Sequence, residues 1–189
     1  MREIILASKS PRRKTLLEEK GYKVIVDVSH ADESLVKEKD ISKKVMAISK
    51  SKADIVIKRH PNAIVVAADT MVYFNGEDIG QQHNDKDAEN TIRKLLGKIH
   101  EVYTGITVVN TKTGKVFQDF ELSKVALKNV SEDTLAAYIK SGKYKGKAGA
   151  YCITDPEFES FVDWVEGSFD NILGLPLKKV DHMIHSASE

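Results

Sequence analysis

Near the start of the chain a short apolar run, Ile4-Ile5-Leu6-Ala7, is followed almost at once by Ser10-Pro11-Arg12-Arg13. The run reads as a strand. Ser10 suits an N-cap and Pro11 a first helical residue, so a helix follows the strand after a minimal turn. Leu16 and Leu17 give that helix its buried side, and Gly21 stops it. Arg12, Arg13 and Lys14 then place three positive charges in the first turn. The helix dipole is already positive there, and each misplaced charge costs about 0.3–1 kcal/mol. An anion at the turn reverses the sign of that cost. Free backbone N–H groups beside two guanidinium forks suit phosphate, so the segment reads as a polyphosphate site.

The signals after this point alternate, which favours an α/β or α+β fold. Tyr22 to Val28 reads as a second strand, and Ile41 to Lys58 as a long helix with Ile41, Val45, Ile48, Ile55 and Val56 at helical spacing. Ala63 to Tyr73 is the most apolar strand, and Asn75-Gly76 is a hairpin turn. Asp85 to Leu96 is a helix stopped by Gly97. Val102 to Val109 and Val116 to Leu127 form a hairpin, Ser131 caps a helix through Ile139, Phe158 to Val165 reads as a strand, and a final helix follows Pro176. No repeat or linker interrupts the 189 residues, which predicts one domain, 1–189, bilobed on a shared core.

Composition narrows the function classes. A net charge of +1 and the lack of an aromatic-basic ladder argue against a nucleic-acid binder. No apolar run approaches the roughly 20 residues of a membrane span, and Met1-Arg2-Glu3 with its short apolar stretch makes a poor signal peptide. The single cysteine, Cys152, excludes an internal disulfide and a cysteine-rich zinc site, and its apolar context reads as core. A cytoplasmic protein is the expectation.

Four places invite chemistry. Asp69 ends the run Ile64-Val65-Val66-Ala67-Ala68, where a buried carboxylate needs a partner or a metal; the plainer alternative is a turn-capping aspartate. Lys52 lies beside the apolar stripe of its helix, where a lysine ordinarily snorkels to water. Glu33 sits in an acidic connection with Asp27 and Asp32, the oxygen-rich setting that Mg²⁺ prefers, although such loops are mostly just solvated. Lys143, Lys145 and Lys147 alternate with Gly142, Gly146 and Gly149, a basic loop that suits an anion as well as it suits plain solvent. His30, His60, His83, His100, His182 and His185 are dispersed and read as surface or packing residues.

Taken together the motifs resemble the Maf family, relatives of the inosine-triphosphatase-like nucleotide pyrophosphatases. Leu6-Ala7-Ser8-Lys9-Ser10-Pro11-Arg12-Arg13 is similar to the family's opening signature, and Ala67-Ala68-Asp69-Thr70 to its central acidic motif. GKIHEVYTG at Gly97 to Gly105, then Lys147-Ala148-Gly149-Ala150-Tyr151 and Gly174-Leu175-Pro176-Leu177, follow in order. The resemblance implies an elongated α/β fold, a mixed sheet flanked by helices with two lobes around a cleft, and a homodimer. It implies hydrolysis of a nucleoside triphosphate to the monophosphate and pyrophosphate, aided by a divalent cation, Mg²⁺ or Mn²⁺.

Carried over residue by residue, it makes Asp69 and Lys52 catalytic and Glu33 with Asp69 the metal ligands. Ser8, Ser10, Arg12, Arg13, Thr70, Gln81, Lys147 and Thr154 become substrate-binding. Two departures stand out. Gly80-Gln81-Gln82 replaces the family's Gly-Lys-Pro, and Tyr151-Cys152-Ile153-Thr154 replaces Tyr-Gly-Ile-Gln, which puts Thr154 where one branch carries a pyrimidine-associated glutamine. Ser10 to Arg13 and Thr70 still point to the thymidine and uridine triphosphate branch. The rival expectation is a nucleotide-binding regulator of cell division with little turnover.

Overall fold

The computed structural model describes residues 2–189. Strands and helices alternate: β1 (Glu3–Leu6), α1 (Pro11–Glu19), β2 (Lys23–Val26), α2 (Ile41–Val56), β3 (Ile64–Phe74), β4 (Glu77–Ile79), α3 (Asp85–Leu95), β5 (Ile99–Asn110), β6 (Val116–Leu127), α4 (Glu132–Ser141), β7 (Val162–Glu166), α5 (Phe169–Ile172) and α6 (Leu177–Ser188). The seven strands make one open mixed sheet in the order β2-β1-β3-β5-β6-β7, with β4 also on β3. β1 is parallel to β2 and β3, whereas β3, β5, β6 and β7 are successively antiparallel.

Local chemistry sets the element ends. Asn75 and Gly76 both take positive φ, 51° and 83°, as the tight β3–β4 hairpin requires. Asp40, Asn84 and Ser131 cap α2, α3 and α4 by accepting from the N–H three residues on. One expectation fails: Phe158 to Val165 is not a continuous strand. Pro156–Phe161 forms a 3₁₀ turn, and β7 begins only at Val162. The turn brings Phe158 and Phe161 onto one side, stacked 4.4 Å apart and fully buried, where an alternating strand would have sent them to opposite faces.

Three buried clusters hold the sheet. α1 and α6 pack Leu16, Leu17, Val180 and Ile184 against Ile4, Leu6, Val66 and Ile106. Ala53 and Val56 of α2 meet Ile5, Val65 and Val109 from the other side. α3, α4 and the 144–161 segment enclose Ile92, Leu95, Tyr138, Tyr144, Phe158 and Phe161 with Val102 and Val125. The long strands β3 and β5 contribute to all three.

The pairing along β3 opens the cleft. On one edge β3 pairs with β5 from Ile64 to Tyr73 without a break. On its other edge β1 pairs at Val65 and Val66, ending with the Ala7 N–H donating to the Val66 carbonyl at 2.8 Å. β4 takes over only at Val72. Between them the chain of β1 has turned away at Pro11 into α1, so residues 67–71 of β3 have no strand on that side. Asp69 and Thr70 lie in the middle of this open stretch.

Candidate active site

The cleft over the gap has a volume of about 830 Å³, and Ser8, Ser10, Arg12, Lys52, Asp69 and Gln81 are among the residues around it. Beside these polar and charged groups, the lining includes Met71, Val72, Val102, Tyr151, Cys152, Ile172 and Leu173.

Asp69 is 6% exposed, and its carboxylate accepts from the Lys52 ammonium at 2.7 Å. The same ammonium lies 2.9 Å from Glu33, so Lys52 links the two carboxylates. It does not snorkel: only 12% of its side chain is exposed, against 50% for Glu33. Asp69 Oδ2 is buried and has no hydrogen-bond partner among the described residues. Burial pushes the Asp69 carboxyl above the ordinary carboxylate range, and Lys52 opposes that shift. Glu33 begins a 3₁₀ turn capped by Asp32, which accepts from the Ser34 N–H.

The opening signature, Ser8 to Arg13, lines the cleft. Ser10 takes extended N-cap geometry, but its hydroxyl makes no capping bond. Its own N–H donates to Ser8 Oγ at 3.2 Å. The first-turn N–H groups of α1 are therefore left without a side-chain cap, which is the arrangement an anion uses. The two arginines then part company. Arg12 is half-buried, and its longest-range contact is a weak 3.4 Å bond from Nε to the Leu173 carbonyl. Arg13 is buried among protein acceptors, so the expectation of a second free fork does not match the geometry.

Of the other expected site residues, Thr70, Gln81 and Lys147 line the same cleft and Thr154 does not. Thr70 accepts from Arg13 and shares a 2.9 Å bond with Thr104. Gln81 lines the cleft and forms an isolated bridge with Ala148, which ties the 80–83 segment to the basic loop. In that loop Lys147 is buried and ion-paired with Asp155, and Lys143 lies 3.9 Å from Glu157. Thr154 is exposed and absent from the cleft lining; its hydroxyl meets Cys152 Sγ at 3.1 Å. Cys152 is core, as expected, and also borders the cleft.

Gly105 was given no role by sequence, although a glycine inside a strand signals close backbone approach. It pairs with Asp69 across the β3–β5 ladder. A Cβ there would lie 2.2 Å from the Val45 backbone carbon of α2. Glycine thus lets α2 approach the sheet closely, and α2 carries Lys52. His100 is a second such residue: fully buried, it meets the Tyr151 hydroxyl at 2.6 Å, and burial pushes its pKa down to about 4, so it is neutral.

Fold and site define a class, α/β proteins that keep a cationic cleft around one buried carboxylate. Within that class the chain belongs to the Maf family, whose model, described as Maf-like protein, matches residues 3–187. Among its relatives, a dTTP/UTP pyrophosphatase of Caldicellulosiruptor saccharolyticus is 35% identical, over 97% of this chain and 94% of its own. A dTTP/UTP pyrophosphatase of Pyrococcus horikoshii is 37% identical, over 94% and 92%. Among solved structures, the Staphylococcus aureus Ham1 protein aligns over 67% of this chain and 72% of its own, with a TM-score of 0.45 and 18% identity.

Proposed function

We propose that the protein hydrolyses nucleoside triphosphates, dTTP and UTP first among them, to the monophosphate and pyrophosphate. The observation that carries this reading is the buried Asp69–Lys52 pair facing the uncapped basic turn of α1 across the gap in β3. The names of the full-length relatives supply the base preference.

Arg12 and the first-turn N–H groups hold the triphosphate by charge-assisted hydrogen bonds. Lys52 sets a positive charge against the phosphates and keeps Asp69 ionised. Asp69 takes the proton of the attacking water, a task for which a carboxylate raised by burial is a stronger base than an exposed one. Pyrophosphate leaves as charge gathers on its bridging oxygen, where the cations of α1 stabilise it. The apolar part of the lining, with Tyr151 and Leu173, receives the nucleoside.

Asp69 and Glu33 fit a hard divalent cation, Mg²⁺ or Mn²⁺. They offer oxygen ligands only, and Asp69 Oδ2 is a buried acceptor without a donor. Among the described residues no third His, Cys, Asp or Glu joins them, which suits an ion that completes its shell with phosphate and water. Such an ion, when bound, neutralises charge on the phosphates. We infer further that the chain acts as one bilobed domain, as a homodimer, in the cytoplasm and without nucleic acid. Among the described residues no helix is long and apolar enough to cross a membrane.

The reading is tested with a panel of nucleoside triphosphates and Mg²⁺ or Mn²⁺, with products separated by ion-exchange chromatography. Monophosphate and pyrophosphate are expected. Diphosphate and orthophosphate would place cleavage at the wrong bond, and tight binding without products would favour a nucleotide-sensing regulator.

A further inference from the structure

Arg13 is 9% exposed, and its guanidinium is almost fully used by the protein. Nε donates to the Gly174 carbonyl at 2.7 Å. One terminal nitrogen, Nη1, donates to Ser8 Oγ at 3.0 Å and to the Ala68 carbonyl at 3.0 Å. The other, Nη2, donates to Thr70 Oγ1 at 2.9 Å. These bonds take all but one of the donors of an arginine fork. A bidentate grip on phosphate needs two parallel donors, and Arg13 no longer has a pair to give.

The acceptors are informative in their placing. Ala68 and Thr70 are the two neighbours of Asp69. The Val66 carbonyl is taken by Ala7, the residue just past β1, and the Ala68 carbonyl is the next on that same edge of β3, where the strand partner has gone. Arg13 thus satisfies the backbone that the gap would otherwise leave unpaired. Its remaining partners come from the turn after β1 and from the segment before α6, so one side chain ties three separate stretches of chain together beneath Asp69. Thr70 extends the tie through Thr104 to the Asn171 carbonyl at 3.2 Å, and Asn171 is itself fully buried.

We propose that Arg13 is a positioning residue: it fixes Asp69 and the 172–174 wall of the cleft through Ala68, Thr70, Ser8 and Gly174, and leaves direct contact with phosphate to Arg12. This division of labour between adjacent arginines rests on the hydrolase reading above and goes beyond it. Arginine at position 13 matters for its fork more than for its charge, so lysine is not a conservative replacement there.

The experiment compares Arg13→Lys, Arg12→Ala and wild type. Binding of inorganic pyrophosphate is titrated by calorimetry, and turnover is expressed per pyrophosphate-binding site, so that misfolded molecules do not count. For Arg13→Lys we expect a lower melting temperature, an unchanged pyrophosphate Kd and a turnover per binding site reduced by about a hundredfold, the scale of a 1 Å misplacement. Arg12→Ala should instead weaken pyrophosphate binding and leave the melting temperature alone. If Arg13→Lys weakens pyrophosphate binding as much as Arg12→Ala does, Arg13 is a phosphate ligand and the proposal falls. It falls equally if turnover per binding site is unchanged, because the role is then only structural. Should Arg13→Lys not fold, Thr70→Val removes the Nη2 acceptor together with the Thr70 links to Thr104 and Gly174, leaves the other Arg13 bonds in place, and is expected to lower turnover per site with Kd kept; unchanged turnover there also overturns the proposal. A wild-type chain that binds pyrophosphate but cleaves no triphosphate would sink the hydrolase reading separately, before any variant is measured.

Discussion

Asp69→Asn is expected to fold as the wild type does and to lose turnover by about 10²–10⁴-fold, the range for removing a positioned general base. The amide keeps the shape of the carboxylate, and Lys52 retains Glu33 at 2.9 Å as an ionic partner. Removing one partner of a buried ion pair is ordinarily strongly destabilising because it strands the other charge, but Lys52 is still paired with Glu33, so the loss here is smaller. Melting curves followed by circular dichroism, beside pyrophosphate release, check both halves. The same residue sets a pH dependence. Asp69 works ionised, burial favours its neutral form, and activity should therefore fall on acidification at a pH above the ordinary carboxylate range. A rate that stays flat down into that range would remove Asp69 from the role of base.

Gly105→Ala should be nearly as damaging, although residue 105 has no side chain to touch substrate. The added methyl would sit 2.2 Å from the Val45 carbon, 2.3 Å from its oxygen and 2.5 Å from the Met46 nitrogen, all backbone atoms of α2. No rotamer change relieves a clash with backbone, so α2 must shift. Overpacking of this kind costs about 1–3 kcal/mol and sometimes more. A shift of α2 also draws Lys52 from Asp69, and a displacement near 1 Å can cost on the order of a hundredfold in rate. Denaturant midpoints and kcat are the measurements. A variant with wild-type stability and kcat would mean that α2 is free to move without disturbing the Asp69–Lys52 pair.

Most elements were legible because their signals are local: Asn75-Gly76 for a turn, Ser131 for a cap, Ile64 to Ala68 for a buried strand. Phe158 to Val165 misled because a run rich in aromatic and β-branched residues suits a strand, while Pro156 and the i, i+3 spacing of Phe158 and Phe161 suit the 3₁₀ turn that forms. Asp69 was readable from its place at the end of an apolar run. The residues alone pointed Lys52 to solvent, because helical periodicity cannot show that two carboxylates converge on it from Glu33 and β3. The contacts of Arg13 were hidden for a similar reason. Apart from Ser8, its acceptors lie 55 to 161 residues away in sequence, at Ala68, Thr70 and Gly174, and no local pattern announces them. The role of Gly105 depends on the approach of a helix roughly 60 residues earlier in the chain, which only the packing reveals.

The interrupted edge of β3 bears on solubility as well as on chemistry. Unpaired strand edges are templates for aggregation, and proteins ordinarily blunt them at the margin of a sheet. Here the open stretch is internal and spans residues 67–71, about 16 Å at the rise of an extended chain. Any foreign strand aligned with it would run into β1 at one end and β4 at the other. A short ligand fits between those two stops and a polypeptide of ordinary strand length does not, so the protein keeps a strandless edge at its centre, met at Ala68 by Arg13, without inviting other chains to extend its sheet.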